Sequence, residues 1–327
     1  MKTKILLKGP ILTRSGYGEQ CRFALRALRS RSDLFDIFIH PLQWGQTSWI
    51  SERNAERIWI DSTIEKTIAY LHQGGRFDST VQVTIPNEWE KMSPRDVGYT
   101  AGIETTRVAH QWIEKGNLID NIIVVSQHSK SVYETSEYQG QNQKTGEVVE
   151  LRLQTPVSVV NYPVKHFEHV DIDLNLDSPF NFLCVAQYAP RKNLHTTIKW
   201  FIEEFREEDV GLVLKSNISK NSVIDRERLY AELRGFANAQ GPHQCKFYLL
   251  HGDMTEKEMH ALYTHPKLNA LVALPHGEGF GLPLFEAAYS GLPVVATGWS
   301  GQLDFLVNKK TGKNRFYNVD FDLQPVQ

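Results

Sequence analysis

Two glutamates and a group of glycines stand at one strand-to-helix junction in the second half of the chain. Between Leu274 and Gly291 the sequence reads LPHGEGFGLPLFEAAYSG, in which Glu278 and Glu286 are eight positions apart. Glycines in the loop open the main chain to a ligand, and the N–H groups and dipole of the following helix attract a diphosphate. Each carboxylate accepts hydrogen bonds from vicinal hydroxyls. The segment therefore predicts a site for a sugar joined to a phosphate.

This segment resembles the signature of the retaining glycosyltransferases of family 4, which have the GT-B fold. Their E-x7-E pattern surrounds a G-F-G-L-P core, and the residues that match the core's first four positions are Gly279, Phe280, Gly281 and Leu282. The resemblance implies that Glu278 is catalytic and contacts the donor sugar, while Glu286 contacts the nucleotide ribose. It also implies that no metal ion or other cofactor is needed. The leaving phosphate itself would help to take the acceptor's proton.

Basic side chains follow two strands of the same half. In VAQYAPRKNL, Lys192 aligns with the family's diphosphate-binding lysine, but Ala186-Gln187 replaces its usual Gly-Arg, so Arg191 is expected to supply the missing charge. Fixed cations at this position would stabilise the charge that develops on the leaving group. The alternative is a solvated basic helix start. Lys215, at the end of the strand GLVLK, is either a third phosphate contact or a solubilising residue.

Two small-residue loops also match the family. In KGPILTRSGYGEQ, Gly16 and Gly18 open the first helix and are candidates for flexible backbone facing the donor phosphate. A tight turn required by packing explains them equally well. The loop Ser300 to Gln302 matches the small loop after the last donor-domain strand, and its contacts are expected to be through backbone groups.

The stretch GYTAGIETTRVAHQW supplies candidates for the acceptor side. Glu104, Arg107 and His110 come just after a strand, and His110 is a candidate catalytic residue that would orient an acceptor hydroxyl or touch the donor sugar. The alternative is structural. Glu104 and Arg107 would then pair at helical spacing, and the histidine would pack among aromatic residues.

Apolar strand-like runs alternate with amphipathic stretches along the whole chain, a pattern typical of parallel α/β sheets. The pattern occurs twice and predicts an α/β fold with two Rossmann-like domains facing each other across a cleft, as in GT-B proteins. Residues 1–165 would form the acceptor-side domain and residues 166–327 the donor domain, with a linker from Tyr162 to Pro179. Glu137 to Glu150 is interpreted as a solvated loop. The polar end after Val307 lacks the terminal crossover helix, which suggests truncation.

Composition argues against nucleic-acid-binding, disulfide-rich and membrane-spanning proteins. The formal charge is -2 over 327 residues, so no global basic field draws the chain to nucleic acid or anionic membranes. Three dispersed cysteines, Cys21, Cys184 and Cys245, indicate reduced thiols and a cytoplasmic protein. No run is long enough for a signal peptide or a transmembrane segment, so any membrane contact would be peripheral.

The partners implied are a nucleotide-sugar donor and a glycan, lipid-linked or other hydroxyl acceptor. A DNA acceptor is suggested only by a basic helix face, formed by Arg22, Arg26, Arg29 and Arg31. The simpler interpretation of these arginines is a solvated face of the helix. Two other functions stay open. One is a different GT-B activity such as a nucleotide-sugar epimerase, and the other is a non-catalytic nucleotide-sugar binding or scaffold protein.

Overall fold

The chain divides into two units, Met1–Pro163 and Val164–Gln327. The structure is a computed structural model that describes residues 2–45, 47–141, 146 and 148–325. The first unit's elements are β1 (Thr3–Gly9), α1 (Gly16–Arg29), β2 (Phe35–Pro41), α2 (Ala55–His72), β3 (Ser79–Val83), β4 (Arg95–Tyr99), α3 (His110–Gly116), β5 (Asn121–Val124), α4 (Gln127–Thr135), β6 (Glu137–Gln141), β7 (Val148–Arg152) and β8 (Val157–Val159).

A six-stranded parallel sheet, in the order β2-β1-β3-β4-β5-β8, forms the centre of the first unit. The interior strand β1 has the apolar run Ile5, Leu6 and Leu7, all of which are buried. Helices cover both faces of such a sheet, so continuous apolar strands are what the fold requires. The strand order reverses at β1, because β2 lies on one side of β1 and β3 lies on the other.

Helix α1 begins with a side-chain cap and contradicts the prediction of a solvated arginine face. The Ser15 hydroxyl, at the N-cap, accepts a hydrogen bond from the backbone N–H of Gly18. Arg22 is only 7% exposed and donates to the carbonyls of Ile11 and Thr13, each at 2.9 Å. A guanidinium carries five donors, so it can satisfy the carbonyls of a turn that lies beside the helix. This arginine therefore fastens the turn after β1 to α1.

The second unit repeats the architecture with a second six-stranded parallel sheet, in the order β11-β10-β9-β12-β13-β14. Its elements are β9 (Phe180–Val185), α5 (Leu194–Glu204), β10 (Val210–Lys215), α6 (Val223–Ala239), β11 (Lys246–Leu250), α7 (Glu256–Tyr263), β12 (Ala270–Ala273), α8 (Leu282–Tyr289), β13 (Val294–Thr297), α9 (Leu303–Leu306) and β14 (Tyr317–Val319). Here the reversal lies at β9, between β10 and β12. The prediction of two parallel-sheet α/β domains is confirmed.

The prediction that Glu137 to Glu150 forms a solvated loop is wrong. Strands β6 and β7 pair as an antiparallel hairpin there, and residues 142–145 and 147 of the segment lie outside the described residues. Tyr138 and Leu151 pack against the core formed by α3, α4 and β5. Because most residues of the hairpin are polar and exposed, these two side chains are too few to produce a visible alternation.

The predicted linker is attached to the second unit along much of its length. Leu174 is 7% exposed in the core of that unit, and Lys165 and Lys257 form ion pairs of 2.6 Å with Glu256 and Glu168 respectively. The segment forms neither a helix nor a strand, and these side-chain contacts hold it to the second unit.

Among the described residues, no helix has the length and apolar character that a membrane span requires.

Candidate active site

Two loops leave the second sheet on either side of its point of reversal. One follows β9 and contains a short 3-10 turn, Pro190–Lys192, and the other follows β12 and contains the glycine-rich segment. In open α/β sheets, ligands bind outside the carboxyl ends of the strands at this point, because adjacent loops diverge there. The motif identified in the sequence thus lies at the ligand-binding edge of its sheet.

The structure brings Lys192, Arg191 and Glu278 together at this edge. Lys192 donates to the Glu278 carboxylate, and the Arg191 Nη1 atom lies 3.4 Å from the same carboxylate oxygen. The side chains of Lys192 and Glu278 are 17% and 12% exposed, so solvent screens the pair only in part. Arg191 also donates to the Gly277 carbonyl at 2.9 Å. The basic turn and the glycine-rich loop are therefore joined by several polar contacts.

Ser300 holds the backbone of Glu278. Its hydroxyl accepts a hydrogen bond of 2.7 Å from the Glu278 N–H and donates to the Glu278 carbonyl, which also accepts from the Gly301 N–H at 2.9 Å. A Cβ atom on Gly301 would lie 2.0 Å from the Gly279 carbonyl oxygen, so only glycine allows this approach. Sequence reasoning expected backbone contacts from this loop but missed the serine hydroxyl, since no pattern distinguishes it from an ordinary turn residue.

Glu286 lies on α8, one turn beyond the glycine-rich loop. Gly281 is the N-cap of this helix and has φ 89°, a left-handed angle that favours glycine, and no described side chain caps the first turn. The carboxylate of Glu286 is close to the Tyr263 hydroxyl. Burial raises the pKa of Tyr263, and the negative charge of Glu286 adds to the effect. Tyr263 is therefore a neutral phenol beside this carboxylate.

The remaining motif residues have packing roles. Phe280 is 3% exposed, and its ring centroid lies 5.3 Å from that of Phe285 and 4.9 Å from that of Phe305. Leu282 is the first residue of α8. These ring contacts hold the Phe280 side chain in the interior of the second unit, so this side chain is not available to a ligand.

Lys215 is partly buried at the end of β10 and donates to the carbonyl of Gly252, which follows β11. Burial lowers the pKa of its ammonium group, against the opposing effect of Asp253. Nearby, the buried Asp225 carboxylate accepts hydrogen bonds of 2.9, 2.8 and 3.0 Å from the N–H groups of Ile218, Ser219 and Lys220. His251 Nε2 lies 2.8 Å from the same carboxylate. The loops after β10 and β11 are therefore fixed to one another.

The first-unit candidates occupy two different places. Arg107 lies over the Tyr138 ring at 4.0 Å and donates to the Glu137 carbonyl, and His110 meets the same ring edge-on at 5.9 Å. Glu104 instead lies near enough to Tyr17 for its charge to raise the pKa of that phenol, although burial is the larger cause. Arg107 and His110 thus contact the β6–β7 hairpin, whereas Glu104 lies near Tyr17 at the start of α1.

The two N-terminal glycines differ in their surroundings. A Cβ atom on Gly18 would lie 2.2 Å from the Thr13 carbonyl oxygen, so the packing of α1 on the preceding turn by itself requires glycine there. A Cβ atom on Gly16 would meet no described atom within 4 Å. Gly16 is exposed at the start of α1, where its backbone is accessible to a ligand.

Comparison with known proteins identifies the family and the fold that the chain resembles. Residues 171–314 match the family described as glycosyl transferases group 1. The alpha-1,3/1,6-mannosyltransferase ALG2 of Mus musculus is 24% identical over 229 residues, which are 63% of this chain and 49% of the mouse protein. The match thus spans about half the length of that relative.

Two solved structures show the same fold. Anabaena Alr3699/HepE in complex with UDP and glucose is 15% identical, with a TM-score of 0.52 over 94% of this chain and 83% of that one. The lipopolysaccharide outer core galactosyltransferase WaaB is 12% identical, with a TM-score of 0.53 over 97% of this chain and 86% of that one. The two parallel-sheet units have the fold of these GT-B glycosyltransferases. Most of the second unit matches the glycosyl transferases group 1, so the recognition made from the glutamate motif is confirmed.

Proposed function

We propose that the chain transfers a sugar, with retention of anomeric configuration, from a nucleotide-diphosphate donor to a hydroxyl acceptor. The observation that carries the proposal is the contact of Lys192 and Arg191 with Glu278 at the reversal point of the second sheet. Cations for a diphosphate and a carboxylate for a sugar hydroxyl are adjacent there. In this proposal Glu286, eight positions along on α8, accepts hydrogen bonds from the ribose of the nucleotide.

The reaction breaks the bond between the anomeric carbon and the leaving phosphate oxygen. A bond from the acceptor oxygen forms on the same face of the sugar, and the acceptor's proton passes to the leaving diphosphate. Lys192, Arg191 and the N–H groups at the start of α8 stabilise the negative charge that develops on that diphosphate. Glu278 holds the transferred sugar by its hydroxyls. Residues of the chain itself supply the positive charge, so we propose that the reaction needs no metal ion.

The relatives support the substrate classes. The HepE structure contains UDP and glucose, and the mouse relative is a mannosyltransferase. A nucleotide-sugar donor and a glycan acceptor follow for this chain as proposals. A cytoplasmic location is also retained, because Cys21, Cys184 and Cys245 are unpaired and buried, and burial raises the pKa of Cys21 and Cys184 to about 12. Three thiols without a disulfide fit a reducing compartment, which supports this part of the proposal.

Product stereochemistry tests the proposal directly. Proton NMR of the reaction with UDP-, GDP- and ADP-sugars and a panel of glycans would show the anomeric coupling of the product. We expect retention, and a loss of about 10²- to 10³-fold in rate for Glu278→Gln. Glu256→Gln, which alters an exposed carboxylate paired with Lys165, is the matched control and should keep full activity. An altered donor sugar without any acceptor would identify an epimerase instead, and inversion would exclude the retaining mechanism.

A further inference from the structure

Two aromatic rings meet at the carboxyl edge of the first sheet. Tyr17, in the first turn of α1, and Trp44, in the segment after β2, have ring centroids 4.3 Å apart at an interplanar angle of 35°. The Tyr17 hydroxyl is 2.8 Å from the Thr100 hydroxyl, directly after β4. Because β1, β2 and β4 are parallel, the segments that follow them leave from one edge of the sheet. We call the rings of Tyr17 and Trp44 the aromatic shelf.

The segment that carries Trp44 is fastened to the turn after β1. The Leu42 N–H donates to the Gly9 carbonyl at 3.0 Å, the Arg14 N–H to the Ser48 carbonyl at 2.8 Å, and the Ile50 N–H to the Leu12 carbonyl at 2.8 Å. Trp44 lies between these attachments and is only partly buried. A large ring held in place but left partly exposed is typical of a binding surface, since burial would stabilise the fold more.

We infer that the aromatic shelf is the acceptor subsite and that the acceptor is a carbohydrate, an inference that rests on the proposed function. The C–H face of a pyranose ring packs on an aromatic ring, while its hydroxyls at the rim need polar partners. The Thr100 hydroxyl is buried and holds the Tyr17 hydroxyl in place. The polar edge of the shelf comes from the half-buried Glu104, whose charge acts on Tyr17 from close by. The combination of an apolar face and polar edges matches a sugar.

The charges around the shelf favour a sugar over a nucleic acid. A nucleobase would also stack on these rings, but its phosphate backbone needs cations to follow it. The arginines of the basic face seen in the sequence are mostly paired: Arg22 with Glu19, Arg26 with Glu56 and Arg31 with Asp33, while Arg29 lies over the Trp59 ring. Arg14, just before α1, pairs with Glu52. These contacts offset most of the positive charge of this part of the first unit. A neutral ligand is therefore the better fit.

Binding of simple glycosides tests the inference on the full chain. The probes are methyl glycosides of the common hexoses and their disaccharides, measured by saturation-transfer NMR and titration. We expect binding of at least one probe, weakened about tenfold or more by Trp44→Ala. Trp44→Phe should keep most of the affinity. Trp200→Ala is the matched control, because Trp200 is 46% exposed on α5 of the second unit.

Nucleotide titrations of the same variants separate the two proposals. Glycoside binding that depends on Trp44 supports the shelf whether or not UDP, GDP or ADP binds. Nucleotide binding with no glycoside binding, or with equal glycoside affinity in wild type and Trp44→Ala, overturns the shelf and leaves the proposed function standing. Salt-sensitive binding of an oligonucleotide that depends on Trp44, in place of glycosides, would show that the rings receive bases and would overturn the carbohydrate assignment.

Discussion

Lys192, after β9, and Glu278, after β12, form an ion pair across the reversal point of the second sheet. The pair places a cation and a carboxylate side by side, and under the proposed function the carboxylate binds the donor sugar. A diphosphate that enters this edge can take over the Lys192 and Arg191 contacts, which releases Glu278 to bind the sugar hydroxyls. Donor binding and the orientation of Glu278 are therefore expected to be coupled.

Removing the Lys192 charge should impair catalysis more than folding. We predict that Lys192→Met lowers kcat/KM by about 10²-fold or more, because a fixed charge near the leaving group is lost. Lys199→Met is the control, since Lys199 is 52% exposed on α5 and lies 3.8 Å from Glu203. Steady-state kinetics with the accepted donor measure both. Equal activity of the two variants would show that Lys192 does not serve the reaction.

Ser300 should matter through its hydroxyl. Ser300→Ala removes both hydrogen bonds to the Glu278 backbone and should lower the free energy of unfolding by about 1–2 kcal/mol, with reduced activity. Ser300 has φ 83°, a left-handed angle, so Ser300→Gly should relieve strain and be less destabilising while losing the same activity. Urea unfolding and kinetics distinguish the effects. Wild-type activity in both variants would contradict the positioning role.

Asp225 should make the second unit sensitive to acid. Burial raises the pKa of this carboxyl, but the hydrogen bonds from His251 and three backbone N–H groups outweigh it and hold the pKa well below its usual range. The folded-state pKa is depressed, so the stabilisation is fully present above the unfolded-state value of about 3.9 and is lost as pH falls through the folded-state pKa. Asp225→Asn should therefore destabilise the protein by about 2 kcal/mol at pH 7.

Urea unfolding at pH 7 and in a series toward pH 2 tests this sign. The difference between wild type and Asp225→Asn should shrink as the pH falls. Glu227→Gln, an exposed change on the same helix, should match wild type throughout. A difference that stays constant with pH, or grows toward acid, would show that the carboxylate charge is not what holds the loops after β10 and β11.

Metal independence is expected because the chain itself supplies the cations. Treatment with excess EDTA should leave the transfer rate within about twofold of the untreated rate, since Lys192 and Arg191 stand where a metal would neutralise the diphosphate. Added Mg²⁺ or Mn²⁺ should have as little effect. Loss of activity in EDTA that is restored by one divalent ion would overturn this part of the mechanism.

The sequence was sufficient where one local pattern carries the information. The strand, glycine loop and helix around Glu278 are contiguous, so one stretch of sequence predicts all three. Helix α2 was not predicted, because apolar Ile58 and Ile68 are exposed while Thr63 and Thr67 are buried, which removes the usual stripe. The apolar repeat that identifies an amphipathic helix is therefore absent from the sequence, although the helix has 18 residues.

Contacts between segments that are distant along the chain could not be predicted from local sequence patterns. Arg22 looked like a surface cation at helical spacing, yet it is buried by carbonyls of a turn whose path no local pattern fixes. Arg107 and His110 were grouped with Glu104 by proximity along the chain, but the β6–β7 hairpin holds them against Tyr138. The Ser300 hydroxyl reaches Glu278 from 22 positions away.

Donor binding measured by calorimetry tests the central claim most directly. UDP, GDP, ADP and their common sugars would be titrated into the full chain, the Glu286→Ala variant and the Glu256→Ala control. We predict that one nucleotide binds selectively, that Glu286→Ala weakens this binding by about tenfold or more, and that Glu256→Ala leaves it unchanged. Failure of every nucleotide to bind the wild-type chain, or equal affinity in the Glu286→Ala variant, would contradict a donor site built around Glu278 and Glu286.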